Sequence, residues 1–128
     1  MKLLLDTHVL IWAADSPELL SKATRDCLND LNHTLYFSVA SLWEINIKQG
    51  LGRSDFRIDP RVLRRGLIDN GYIELPIESP HALLVDSLPP IHKDPFDRIL
   101  IAQAMAEGLI LVSNDQAVLQ YPLATMAA

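Results

Sequence analysis

Short continuous apolar runs alternate along this chain with stretches whose apolar residues recur at helical spacing, and the alternation predicts strands and helices in turn. Lys2-Leu3-Leu4-Leu5 reads as a short buried strand, broken by Asp6-Thr7-His8 before a helix-like Val9-Leu10-Ile11-Trp12. Asp15-Ser16-Pro17-Glu18 supplies turn chemistry, and Leu20, Ala23, Cys27, Leu28 and Leu31 give a second helix over Leu19 to Leu31. Leu35-Tyr36-Phe37 is the next strand, and Ser38 can cap a helix through Val39, Leu42, Trp43, Ile45 and Ile47 that ends near Gly50 and Gly52. A polar connection from Arg53 to Pro60 leads to a helix over Arg61 to Asn70 and a strand within Gly71 to Pro76. A short helix over Ser79 to Leu88 is closed by Pro89-Pro90. A longer one runs from Asp94 to Glu107 and stops at Gly108, and Leu109-Ile110-Leu111-Val112 is the most strand-like run of all. A short helix and a strand near Leu123 finish the chain.

Strands alternating with helices predict an α/β sandwich with a mostly parallel sheet, because parallel neighbours need a crossover and right-handed crossovers return every strand to the same sense. The carboxyl ends of the strands then share one edge, where open sheets bind ligands. Asp6 and Asp115 fall on that edge. Glu44, in the helix after the second strand, and Asp97, at the start of the helix before the Leu109 strand, are within reach of it. Bare carboxylates gathered there are poorly explained by packing, since two unit charges about 4 Å apart repel by roughly 4 kcal/mol at an effective dielectric of 20. A bound cation removes that penalty.

Composition narrows the alternatives. A chain of 128 residues, 49% hydrophobic and 21% charged, suits one globular domain spanning 1–128 and does not have the composition of a disordered segment. The Leu3 to Ala14 stretch is interrupted by Asp6 and His8, too short and too charged for a membrane span or signal-peptide core, so a soluble, cytoplasmic protein is expected, with no membrane association. The single cysteine, Cys27, excludes an internal disulfide and a thiolate metal site and reads as packing. A formal charge of −5 argues against holding nucleic acid by bulk electrostatics. Cations held by clustered carboxylates can nevertheless reverse the local potential that a phosphate meets.

Each acid also has a structural reading. Asp6 and Asp115 can cap helices; Asp94-Pro95-Phe96-Asp97 has the form of a helix start with Asp94 at the cap; Glu44 can pair with Lys48 one turn on, or with Ser41 in a capping box. His8, His33, His81 and His92 lack the paired spacings of a zinc site. Oxygen donors suit Mg²⁺ or Mn²⁺ instead. Gly50-Leu51-Gly52 follows a helix rather than a strand, so no phosphate-binding loop is present. Trp12 and Trp43 lie on apolar helix faces and read as core or partner-contact residues rather than base-stacking platforms.

Four segments in order, Leu5-Asp6-Thr7-His8-Val9-Leu10, Ser41-Leu42-Trp43-Glu44-Ile45 with Lys48, the run from His92 to Ala104 containing Asp94-Pro95-Phe96-Asp97-Arg98, and Leu111-Val112-Ser113-Asn114-Asp115, resemble the PIN-domain ribonucleases. Within that family they resemble the VapC-like toxins of bacterial toxin–antitoxin pairs. The resemblance spans essentially the whole chain and implies a three-layer α/β/α sandwich with a mostly parallel central sheet, with Asp6, Glu44, Asp97 and Asp115 as catalytic acids around one or two Mg²⁺ or Mn²⁺ ions. It implies an endoribonuclease, an antitoxin partner that covers the cleft, and a homodimer. Asp6, Asp97 and Asp115 are assigned to the metal, and Glu44 to the metal or to the attacking water. Thr7, Lys48, Arg98 and Ser113 are the candidates for substrate contact, and Asp94 is a possible additional acid. Ser113 stands where many relatives carry threonine. Carboxylates that hold a cation can position and deprotonate a water for in-line attack on a phosphodiester, with no covalent protein intermediate.

Two rivals remain open. A phosphatase of the haloacid dehalogenase type places a second aspartate two residues after the first, where this chain has His8. A receiver-like binding domain carries a lysine on the late strand-end loop, where this chain has Ser113-Asn114-Asp115. A solitary RNA-processing nuclease of the PIN type is the nearest alternative to a toxin.

Overall fold

Leu3, Leu4 and Leu5 have no exposed surface, which requires a strand covered on both faces, and β1 (Lys2–Leu5) is the middle strand of the sheet. The computed structural model describes residues 1–128. The remaining strands are β2 (Thr34–Ser38), β3 (Ile73–Leu75), β4 (Ile110–Ser113) and β5 (Thr125–Ala127); the helices are α1 (Thr7–Asp15), α2 (Lys22–Asn29), α3 (Val39–Gly50), α4 (Pro60–Asp69), α5 (Ser79–Leu84) and α6 (Pro95–Glu107). All neighbouring strands run parallel in the order β3-β2-β1-β4-β5. The expected α/β/α sandwich is therefore observed.

Alternate residues of each strand feed different layers. Leu3, Leu5, Leu35, Phe37 and Val112 join Val9, Leu10, Leu63 and Leu67 on one face. On the other, Leu4 and Leu111 pack with Leu100, Ile101 and Ala104 of α6. Burying each of these large side chains contributes about 1.5–3 kcal/mol. Gly108 ends α6 at φ 66°, a left-handed cap that glycine adopts without strain, and its amide donates to the Ala104 carbonyl.

The chain winds outward from β1 to β2 and β3, then returns to the other side of β1 for β4 and β5. The strand order thus reverses between β1 and β4, and the Asp6 amide bonds the Val112 carbonyl across that junction at 3.0 Å. This is where an open sheet leaves a crevice at its carboxyl edge.

Several expected boundaries are corrected. The second helix covers only Lys22–Asn29 because the Ser21 hydroxyl caps it by accepting the Thr24 amide at 3.1 Å, while Pro17–Leu19 forms a separate 3₁₀ turn. Leu31, assigned to that helix's apolar face, is 99% exposed. The polar connection before α4 hides Phe56, fully buried within a 3₁₀ turn. Helix α5 stops at Leu84 and gives way to a 3₁₀ turn, Val85–Ser87. The last helix is only the 3₁₀ turn Val118–Gln120, and the final strand lies beyond Leu123.

Candidate functional site

Asp6 leaves β1 and performs two tasks at once. One carboxylate oxygen caps α1 by accepting the Val9 amide at 3.0 Å, and the other accepts the Ser113 hydroxyl from the end of β4. The capping reading and the clustering reading are therefore compatible. Burial raises its pKa above the ordinary carboxylate value, against the lowering effect of those two hydrogen bonds.

Helix α3 brings Glu44 to the same place. Its Oε1 accepts the Thr7 hydroxyl at 2.5 Å and its Oε2 the Lys48 ammonium at 2.6 Å, so the pairing with Lys48 is present and both oxygens are held. Thr7 also shares a 2.9 Å hydrogen bond with Ser41. Lys48 reaches on to Asp94 Oδ2 at 2.8 Å. Burial by itself lowers the lysine pKa, but Asp94 and Glu44 outweigh it and the net shift is upward.

Asp94 caps α6 through the Phe96 amide at 2.9 Å. Burial pushes its pKa up, whereas Lys48 and the amide pull it below the usual range and prevail. One turn into α6, Asp97 has no such partner from the lysine. Burial, followed by repulsion from Asp94 and Glu44, raises its pKa to about 7. Asp115 caps the turn after β4 by accepting the Ala117 amide at 2.8 Å, and here burial is outweighed by hydrogen bonds from His92 and that amide.

Asp6, Glu44, Asp94, Asp97 and Asp115 line one cleft of about 400 Å³, together with Thr7, His8, Trp12, Lys48, Arg53, His92 and Asn114. Five carboxylates there face two permanent cations, Lys48 and Arg53. The tightest group is Asp97, Asp115 and His92, whose candidate donor atoms lie within 4.8 Å of one another. Asp6 and Glu44 belong to the cleft but not to that triplet.

The PIN domain family model matches residues 3–122. The chain belongs to the PIN-domain family. No curated protein sequence matches it, so the remaining comparisons are with solved structures. A chain of the VapBC2 complex from Rickettsia felis bound to a promoter DNA fragment superposes with a TM-score of 0.74 at 15% identity, covering 100% of this chain and 99% of that one. A chain of DNA-bound VapBC from Salmonella typhimurium gives 0.67 at 17%, covering 99% and 98%. VapBC-1 from nontypeable Haemophilus influenzae gives 0.62 at 18%, again covering 99% and 98%. At these identities the likeness shows a shared PIN fold, which agrees with the family resemblance carried by the four sequence segments.

Not every expected site residue faces this PIN-domain cleft. Ser113 is buried behind it and acts through Asp6. Arg98 is turned away: its guanidinium donates to the carbonyls of Val85 at 2.9 Å, Pro89 at 3.1 Å and His92 at 3.4 Å. A guanidinium occupied in this way braces the 85–92 segment and is not among the residues that line the cleft. Trp43 is 57% exposed and packs edge-on against Phe96, so it is not a core residue. The spacing of His92 from the other histidines suits no zinc site. The available signal was its position just ahead of Asp94 and Asp97, on the loop that must turn into the cleft.

Proposed function

We propose that this PIN-domain protein is a Mg²⁺- or Mn²⁺-dependent endoribonuclease and the toxin of a toxin–antitoxin pair. The observation that carries the metal-dependent reading is Asp97: half-buried among negative neighbours with its pKa raised to about 7, it is a carboxylate in search of a cation. The donor set fits a hard divalent ion, since the acids offer oxygen and no thiolate is present in the cleft. Asp6, Asp97 and Asp115 are the proposed ligands. Bound there, such an ion supplies Lewis acidity toward a phosphodiester and neutralises its developing charge. Glu44, fixed by Thr7 and Lys48, orients the attacking water, and Lys48 keeps the wall of the cleft from being uniformly negative. Asp94 holds Lys48 and caps α6.

Partner binding is proposed on two surfaces. An apolar groove of about 710 Å³ lies along the far half of α1, lined by residues including Leu20, Leu28, Leu63, Leu67 and Tyr72. It gives an antitoxin segment a place to bury apolar side chains. Trp43 and Ile47 of α3 and Leu51 at its C-terminal cap form an exposed row whose burial in a homodimer accounts for its apolar character. The VapBC complexes named above are toxin–antitoxin precedents for this fold.

Purified protein incubated with a panel of structured and single-stranded RNAs in Mg²⁺ or Mn²⁺ is expected to give fragments that vanish with EDTA and with Asp97→Ala. Intact RNA across the whole panel contradicts the proposal. Cleavage that survives both treatments contradicts its metal chemistry.

A further inference from the structure

His92 stands between two of the acids, with Nε2 2.8 Å from Asp115 Oδ2 and 3.1 Å from Asp97 Oδ2. The obvious reading makes the imidazole a nitrogen ligand for the ion. The other side of the ring argues otherwise. Nδ1 lies 3.1 Å from the Asp94 amide nitrogen, which can only donate. Nδ1 must therefore accept, and in the neutral ring the proton sits on Nε2. That proton points at Asp115, with Asp97 beside it, and covers the lone pair a metal would need.

Exchanging the tautomer would set an Nδ1–H against the Asp94 N–H, and the loop gives that pair little room to separate. The His92 amide donates to the Tyr121 hydroxyl at 2.7 Å, and its carbonyl accepts from Arg98. Asp94 is itself fixed, by Lys48 and by the Phe96 amide. Ring, backbone and amide are thus held from several directions.

We propose that His92 is a positioning residue of the acidic centre: locked by the Asp94 amide as the Nε2–H tautomer, it donates to Asp115 with Asp97 alongside, sets these carboxylates for the divalent ion and does not bind the ion itself. The ion is then held by oxygen alone. This rests on the metal-binding reading given above. Outer partners that orient metal ligands typically change affinity by about 10–100-fold when removed.

Two measurements test it. Long-range ¹H–¹⁵N correlation spectra of the metal-free protein report the tautomer directly, without any variant or any ion. A protonated Nε2 with an unprotonated Nδ1 is expected for His92, and the reverse pattern overturns the proposal. Mn²⁺ titration calorimetry then separates positioning from ligation, because a glutamine amide can place a donor nitrogen where Nε2 stands but cannot act as a nitrogen ligand. His92→Ala is expected to weaken Mn²⁺ binding about tenfold or more, and His92→Gln to stay within about threefold of the wild type. Equal loss in both variants identifies a ligand and overturns the proposal, as does unchanged or tighter binding by His92→Ala. Failure of the wild-type protein to bind Mn²⁺ at all is a different result: it refutes the metal-dependent reading and leaves the tautomer to stand or fall on the spectra.

Discussion

Asp97 concentrates the electrostatic tension of this protein in one side chain. Its pKa is raised to about 7 from an unfolded value near 3.8, by burial first and by Asp94 and Glu44 next. The folded state therefore holds a proton that the unfolded state releases, and stability falls as pH rises across that interval. Without divalent ions the protein is expected to be less stable at pH 8 than near pH 5, by an amount of order 2 kcal/mol from this group. Asp97→Asn removes the charge, so it should raise the melting temperature at pH 8 and flatten this dependence, which thermal melts at several pH values will show. A lower melting temperature for the variant at pH 8 contradicts this account. Asp6 behaves differently because it also caps α1. Asp6→Asn keeps a capping oxygen and should change metal-free stability little, yet sharply reduce the protection given by Mg²⁺. Full Mg²⁺ protection in Asp6→Asn makes Asp6 a cap and nothing more.

At the scale of elements, what could be read from sequence depends on whether one local signal or several distant partners set a feature. Leu3-Leu4-Leu5 announces a strand buried on both faces, and Leu4→Ala at the centre of the sheet should cost about 2–5 kcal/mol in chemical denaturation. Ser38 and Gly108 mark helix ends through their own chemistry, and both act as expected. Leu31 and Phe56 mislead because neighbours decide their fate: Ser21 starts α2 late and Asn29 ends it early, and Phe56 folds under Lys48 and Arg53 from an otherwise polar loop. Arg98 shows the same limit at the site. Its position beside Asp97 pointed to substrate, but a carbonyl-rich loop with which it shares no sequence pattern captures it. Arg98→Ala should therefore lower the melting temperature, at a cost of about 1–3 kcal/mol, and should weaken Mn²⁺ binding through the displaced His92 loop. An unchanged melting temperature contradicts the bracing role. The acids themselves were legible because each follows a strand or opens a helix, whereas His92 needed the loop's path to be known.

For the whole molecule, the parallel sheet explains how residues from both ends of the chain meet. Reversal of strand order between β1 and β4 opens the crevice, and the helices after β1 and β2 and before β4 each deliver an acid to it. No helix is long and apolar enough to cross a membrane. On the proposed reading an ion displaces the proton held by Asp97, so Mg²⁺ at one hundred times its pH 8 Kd should protect the fold by about 2.7 kcal/mol at pH 8 and by less at pH 5.5. A crystal structure of the Mn²⁺-soaked protein, with the ion located by anomalous scattering, tests the central claim most directly. The account predicts a Mn²⁺ peak bound by carboxylate oxygens of Asp6, Asp97 and Asp115, with His92 Nε2 facing those oxygens rather than the ion. A cleft without Mn²⁺ at saturating concentration, or an ion bound elsewhere on the protein, would contradict it.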